Sequence, residues 1–203
     1  MQLLRKPLHS TLQAVAAVPY DVPIMTSRLH SLRTAVLIAL LGTVAAFAQT
    51  APQPPAPGLL NRTQAAAILP DKVFFRGQSA TVQGRNSAGI RLADGKLVLF
   101  AVVDTSGYSS AIQQNYQAYI ITEVPLHIGD HTLVPGSYGF GFIANQQMIV
   151  LDIGNNELFR TSTVQDTALT RPTPLQLTAD SANSGQYRLY LGRNYVTLAP
   201  TAQ

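Results

Sequence analysis

The sequence predicts an all-β domain, an antiparallel β-sandwich with a small closed barrel as the alternative, led by one short helix. Three observations carry this. Short β-branched and aromatic runs recur from Asp71 onward, separated by Gly, Pro, Asn and Asp. Long helical periodicity is missing, which argues against a βαβ nucleotide-binding fold. No repeat of roughly 20 to 50 residues is visible.

Residues 1–24 contain Pro7, Pro19, Asp21 and Pro23, which interrupt any apolar run, so they read as an extension with Met25 as the alternative start. Residues 25–48 have the layout of a cleavable secretory signal: Arg28, His30 and Arg33, an apolar run from Ala35 to Phe47, then Ala46-Phe47-Ala48 before Gln49. The run is shorter than the ~20 residues a membrane span needs. Cleavage is therefore expected, with no stable membrane span afterwards and a periplasmic or secreted product. Residues 49–60, with Pro52, Pro54, Pro55 and Pro57, read as an extended proline-rich linker. The folded domain is expected over residues 61–203.

Removing the leader changes the charge. The whole chain carries 14 Lys and Arg against 10 Asp and Glu. Beyond Ala48 the balance is 10 against 9, and the arginines are scattered rather than clustered, so a nucleic-acid partner is not expected. The chain has no cysteine. That removes disulfides, thiolate metal sites and a cysteine nucleophile.

Within the domain, Asn61-Arg62-Thr63-Gln64 has the form of a capping box and predicts a helix of about two turns through Leu69, expected to plug an open end of the β-domain. It is expected to be the only helix. Strand runs follow at 73–75, 80–83, 89–92, 97–103, 116–124, 132–134, 137–144, 147–153, 158–161, 175–179, 187–191 and 195–198, with Ser106 to Asn115 as a loop. Ala93-Asp94-Gly95-Lys96 predicts a hairpin turn. Leu97 to Val103 is apolar at every position, which predicts a central strand covered on both faces.

The most informative segment is Pro135 to Ile153. A two-residue loop at Asn145-Gln146 would pair Gly139 with Asp152 and Gly141 with Val150. Two glycines on one face then make a shallow trough with a carboxylate at its edge, because glycine in a strand marks a close approach. The competing account is that a large side chain of a neighbouring strand fills it, which is ordinary sheet construction. Arg188 and Tyr190 share the outward face of another strand and complete the candidate binding surface of Gly139, Gly141, Asp152, Arg188 and Tyr190. Exposed tyrosines suit contact with sugars or proteins.

Catalytic and metal patterns are weak. Val102-Val103-Asp104-Thr105-Ser106-Gly107 resembles the aspartic-protease signature but carries an extra Ser106, and an Asx turn ending the strand accounts for it better. His127 and His131 flank Gly129-Asp130. A two-residue loop there pairs Ile128 with His131 and sends the imidazoles to opposite faces, so no metal site and no cofactor are expected. There is no Gly-x-Ser-x-Gly elbow. Asp104, Glu123 and Asp152 are the acids available to a hydrolase.

Three stretches carry a resemblance: Ile68-Leu69-Pro70-Asp71-Lys72-Val73-Phe74-Phe75-Arg76-Gly77-Gln78, Leu133-Val134-Pro135-Gly136-Ser137-Tyr138 and Gly192-Arg193-Asn194-Tyr195-Val196. They are similar to those of uncharacterised exported β-domain proteins of acidobacterial type. The resemblance implies an exported β-domain and carries over no catalytic residue. The leading expectation is a non-enzymatic extracytoplasmic module binding a glycan, envelope component or protein. The alternatives are a hydrolase using Asp104, Glu123 or Asp152, and a structural envelope protein.

Overall fold

The computed structural model describes residues 56–201; the expected leader and the extension before it lie outside them. In chain order the first elements are β1 (Gly58–Leu60), α1 (Arg62–Ala66), β2 (Lys72–Phe75), β3 (Gln78–Arg91), β4 (Leu97–Val103), α2 (Ser110–Asn115) and β5 (Ala118–Thr122). Then come β6 (Leu126–Ile128), β7 (His131–Leu133), β8 (Gly136–Ile143), β9 (Gln147–Leu151) and β10 (Glu157–Ser162). The last are β11 (Val164–Gln165), β12 (Leu175–Ala179), β13 (Tyr187–Leu191) and β14 (Asn194–Pro200).

The strands form two sheets, as an antiparallel sandwich requires, and neither closes into a barrel. The first sheet runs β1-β3-β4-β5-β8-β9-β10, with β2 on β3; the second runs β12-β13-β14-β6-β7, with β11 on β14. Between them lies the main core, where Val98, Phe100, Ile120, Phe140 and Val150 of the first sheet meet Leu126, Ile128, Leu189 and Leu198 of the second. The chain passes from one sheet to the other after β5. Thr122, buried at the crossing, donates its Oγ1 hydrogen to the Val124 carbonyl at 2.6 Å.

The outer face of the first sheet is also covered, which explains why β4 is apolar throughout. Leu60, Ala65 and Leu99 form one cluster there, and Phe75, Tyr108, Tyr116, Tyr119, Ile149 and Leu151 form another. Fully burying each large ring contributes roughly 2–3 kcal/mol. The β2–β3 hairpin reaches this face because β3 bends: its pairing with β4 is irregular between Val82 and Ser87, and Ser87 Oγ donates to Gly84 O at 2.6 Å. Two runs expected as separate strands, Ala80 to Gln83 and Gly89 to Leu92, are thus halves of β3.

The capping box forms as expected, with Gln64 N–H donating to Asn61 Oδ1 and Asn61 N–H to Gln64 Oε1, both at 3.0 Å. Three expectations need correction. Helix α1 packs on the outer face of the first sheet, rather than plugging an end, because its apolar side is Ala65 against Leu60 and Leu99. The linker expected over residues 49–60 does not extend through its last three residues, which are β1: Gly58 pairs with Arg91 and Leu60 with Gly89, and Leu60 is buried. The domain therefore starts before residue 61. Finally, α1 is not the only helix, since α2 occupies the expected loop, with Tyr116 N–H bonded to Ile112 O at its end. No helix among the described residues is long and apolar enough to cross a membrane.

Candidate functional site

The β8–β9 hairpin has a three-residue connection, Ala144 to Gln146, with Ile143 paired to Gln147. Asn145 and Gln146 both adopt left-handed backbone, φ +62° and +53°. The register is therefore one residue from that expected: Gly139 pairs with Leu151 and Gly141 with Ile149. Such a slip exchanges the faces of one strand relative to the other. Asp152 falls beside Tyr138 rather than beside the glycines.

Nor is the glycine trough open. A Cβ on Gly139 would lie 2.6 Å from Phe75 Cε2 and 2.9 Å from Tyr116 Cδ2. One on Gly141 would lie 2.5 Å from the Asn115 carbonyl oxygen. What approaches the glycines is the protein itself: a stacked Phe75–Tyr116 pair, ring centroids 3.8 Å apart, and the end of α2. Gly139 and Gly141 are packing positions.

Arg188 and Tyr190 do share the outward face of β13, while Leu189 enters the core. They do not form an open surface pair. Tyr190 is buried and donates its hydroxyl hydrogen to Asp166 Oδ2 at 3.0 Å. Arg188 is bonded to Asp180 at 2.8 Å and lies over the Tyr195 ring at 4.9 Å. Burial is the largest cause pushing the Tyr190 phenol up from its ordinary value. The chain after β11, which carries Asp166, supplies this cover; nothing in the local pattern of β13 reveals it.

The three acids are each engaged by backbone amides. Asp104 Oδ1 accepts from Ser106 N–H at 3.0 Å, the Asx turn expected there. Glu123 Oε2 accepts from Leu97 N–H at 2.8 Å. Asp152 Oδ1 accepts from the amides of Gly154 and Asn156, both at 2.8 Å, and its Oδ2 from Asn156 Nδ2 at 2.9 Å. Asp104 and Glu123 hold opposite ends of β4, roughly 23 Å apart at about 3.3 Å per residue. Asp152 lies two strand spacings from β5 and further along the hairpin, roughly 14 Å from Glu123 and more from Asp104. Paired carboxylates for glycoside hydrolysis stand about 5–9.5 Å apart. These three acids do not meet. The histidines take the expected register, Ile128 opposite His131 and His127 opposite Thr132. His127 Nδ1 lies 2.7 Å from Thr132 Oγ1, and His131 stacks on Phe159 at 4.3 Å.

That stack marks the site the geometry does offer. β7 and β10 are end strands of their sheets, and His131 and Phe159 meet across the gap. Gly129, at φ +55°, lets the β6–β7 turn press against Thr161, whose hydroxyl occupies the space a Cβ would take. Beside the stack opens a cleft of about 420 Å³ lined by Val134, Tyr138, Asp152 and Leu158. Tyr138 donates its hydroxyl hydrogen to Val134 O at 2.9 Å, fixing the connection that carries Val134. A β-bulge between Glu157 and Phe159 turns Leu158 outward. Val134 is 66% exposed and Leu158 45%. At the rim, Asp152 stays ionised; the Asn156 side chain and amide are the main causes holding its carboxyl below the ordinary value.

The cleft thus combines apolar side chains with one fixed negative charge. Of the residues singled out from sequence it contains Asp152 alone among the candidate binding surface. Val134, Leu158 and Phe159 were missed because their convergence depends on two sheets and a bulge. No protein-family model, curated protein or solved structure matches the chain.

Proposed function

We propose that this chain is an exported, non-enzymatic β-sandwich whose partner, an envelope protein, docks an apolar side chain in the cleft between β7 and β10. The single observation behind this reading is the open pair Val134 and Leu158 beside the ionised Asp152. An isolated exposed apolar residue is ordinary, whereas two that line one cleft suit the apolar group of a partner. Asp152 favours a partner that places a hydrogen-bond donor or cation next to its apolar group. Strand addition is disfavoured, since β7 has three residues and β10 carries a bulge and a Glu157–Arg160 ion pair, devices that blunt sheet edges. Recognition therefore falls to side chains. Export is supported by the leader over residues 25–48.

The test expresses the full chain with its own leader, identifies the mature N-terminus by mass spectrometry, and uses the product to capture proteins from envelope extract. A terminus at Gln49, and a partner retained by the wild type but lost by the folded Val134→Asp, Leu158→Asp variant, are expected. A product still carrying residues 1–48, or identical retention by both proteins, would overturn the proposal.

A further inference from the structure

A second cleft, of about 460 Å³, opens on the outer face of the first sheet at the other end of the β8–β9 hairpin. From Asp152 it lies roughly 16 Å away along the strands at about 3.3 Å per residue. Its walls carry Gln114 and Asn115 from the end of α2, Gln117 ahead of β5, Asn145 from the hairpin tip, Gln147 from β9 and Arg160 from β10. Five carboxamides thus converge from separate parts of the chain.

Their bonding divides them. Gln117 is the fixed floor: its Nε2 donates to Phe142 O at 3.1 Å and Gln114 O at 3.2 Å, and its Oε1 accepts from Phe142 N–H at 3.0 Å. The side chains of Gln114, Asn115, Asn145 and Gln147 make no hydrogen bond to other described residues, although Asn115 and Gln147 are half-buried. The walls are held firmly. Gly141 lets the Asn115 carbonyl close onto β8, and the left-handed backbone at Asn145 and Gln146 fixes the tip.

The charge is balanced as well. Arg160 is the one charged lining residue, and Glu157 neutralises it through two bonds, from Nε at 2.9 Å and Nη2 at 2.8 Å. An anion finds no free cation here and a cation finds no lining carboxylate. A carboxamide offers two donors and an acceptor with two lone pairs. Its natural complement is a neutral group that both donates and accepts, a hydroxyl or an acetamide. Ile143 and Ala144 add apolar surface suited to the C–H face of a sugar ring. The volume lies within the roughly 300–1,000 Å³ of small-molecule sites.

We infer that this cleft is a binding site for a neutral saccharide, read by Gln114, Asn115, Asn145 and Gln147. It is separate from the edge cleft and stands or falls without it. The test titrates the purified full-length protein with neutral di- to tetrasaccharides of N-acetylglucosamine, glucose, xylose, mannose and galactose by calorimetry, beside uronic-acid oligomers. At least one neutral series is expected to bind, little affected by salt because no charge pair forms. The Asn145→Ala, Gln147→Ala variant, checked for folding by its melting temperature because Gln147 is half-buried and Asn145 has left-handed backbone, is expected to stay folded and to lose at least tenfold in affinity. The Val134→Asp, Leu158→Asp variant is expected to keep it. No binding by any neutral sugar, binding of uronic acids alone, or affinity unchanged in the carboxamide variant would each overturn the inference.

Discussion

Substituting Gly139→Ala measures whether the interior of the β8 face is packed or open. The added Cβ would stand 2.6 Å from Phe75 Cε2 and 2.9 Å from Tyr116 Cδ2. Carbon atoms favour separations of about 3.5–4.0 Å, so both contacts lie well inside repulsion. Neither ring can yield freely: both are fully buried, they stack at 3.8 Å, and Tyr108 meets both edge-on at 6.1 and 5.6 Å. Overpacking of this kind costs about 1–3 kcal/mol, and the rigid rings place it near the upper end. A domain of this size loses about 2–4 °C in melting temperature per kcal/mol, so a fall of roughly 6–12 °C is expected by calorimetry or circular dichroism. Combining the change with Phe75→Leu should cost less than the sum of the two, since the colliding ring is gone. An unaltered melting temperature in Gly139→Ala would refute the reasoning and restore an open trough above the glycines.

Other consequences follow from the same geometry. The Tyr116 hydroxyl is buried without a hydrogen-bond partner, so Tyr116→Phe should raise stability by about 1–2 kcal/mol in urea unfolding, where a loss would reveal a partner for that hydroxyl. The β2–β3 turn holds Arg76 and Gly77 at φ +45° and +81°, a two-residue turn that favours Asn-Gly, and Arg76→Asn should stabilise by about 1 kcal/mol, measured the same way. The carboxyls of Asp104 and Asp152 are held below their ordinary value, chiefly by Ser106 and Asn156. Folding therefore favours their ionised forms, and this stabilisation is complete above the unfolded value near about pH 4 and is lost as pH falls through the folded values. Unfolding followed against pH should show that acid limb, shallower in Asp152→Asn.

What the sequence makes legible here is what is local. The Asn61–Gln64 capping box, the Asp104 turn and the opposite faces of His127 and His131 each depend on a few adjacent residues, and each forms as expected. Leu97 to Val103 signals a doubly covered strand because burial on both faces removes alternation. The hairpin register was not legible, since left-handed backbone at Asn145 and Gln146 suits a two-residue loop as well as a three-residue one, and the inclusion of Ala144 in the loop moves Asp152 away from the glycines. Helix α2 has one half-buried apolar residue, Ile112, and no side-chain cap, so its sequence resembles a polar loop. Burial of Tyr190 comes from Asp166, well away in sequence. Both clefts join residues from separate strands, and only the assembled sheets bring them together.

The central claim is that Val134 sits in the contact site of a partner. Placing a photo-cross-linking amino acid at Val134, and for comparison at exposed Ala93 in the β3–β4 turn, tests it in intact cells that natively make the protein. One discrete cross-linked species from Val134, diminished by Asp152→Asn and missing from Ala93, is the predicted result. No product from Val134, or the same products from both positions, would contradict the account.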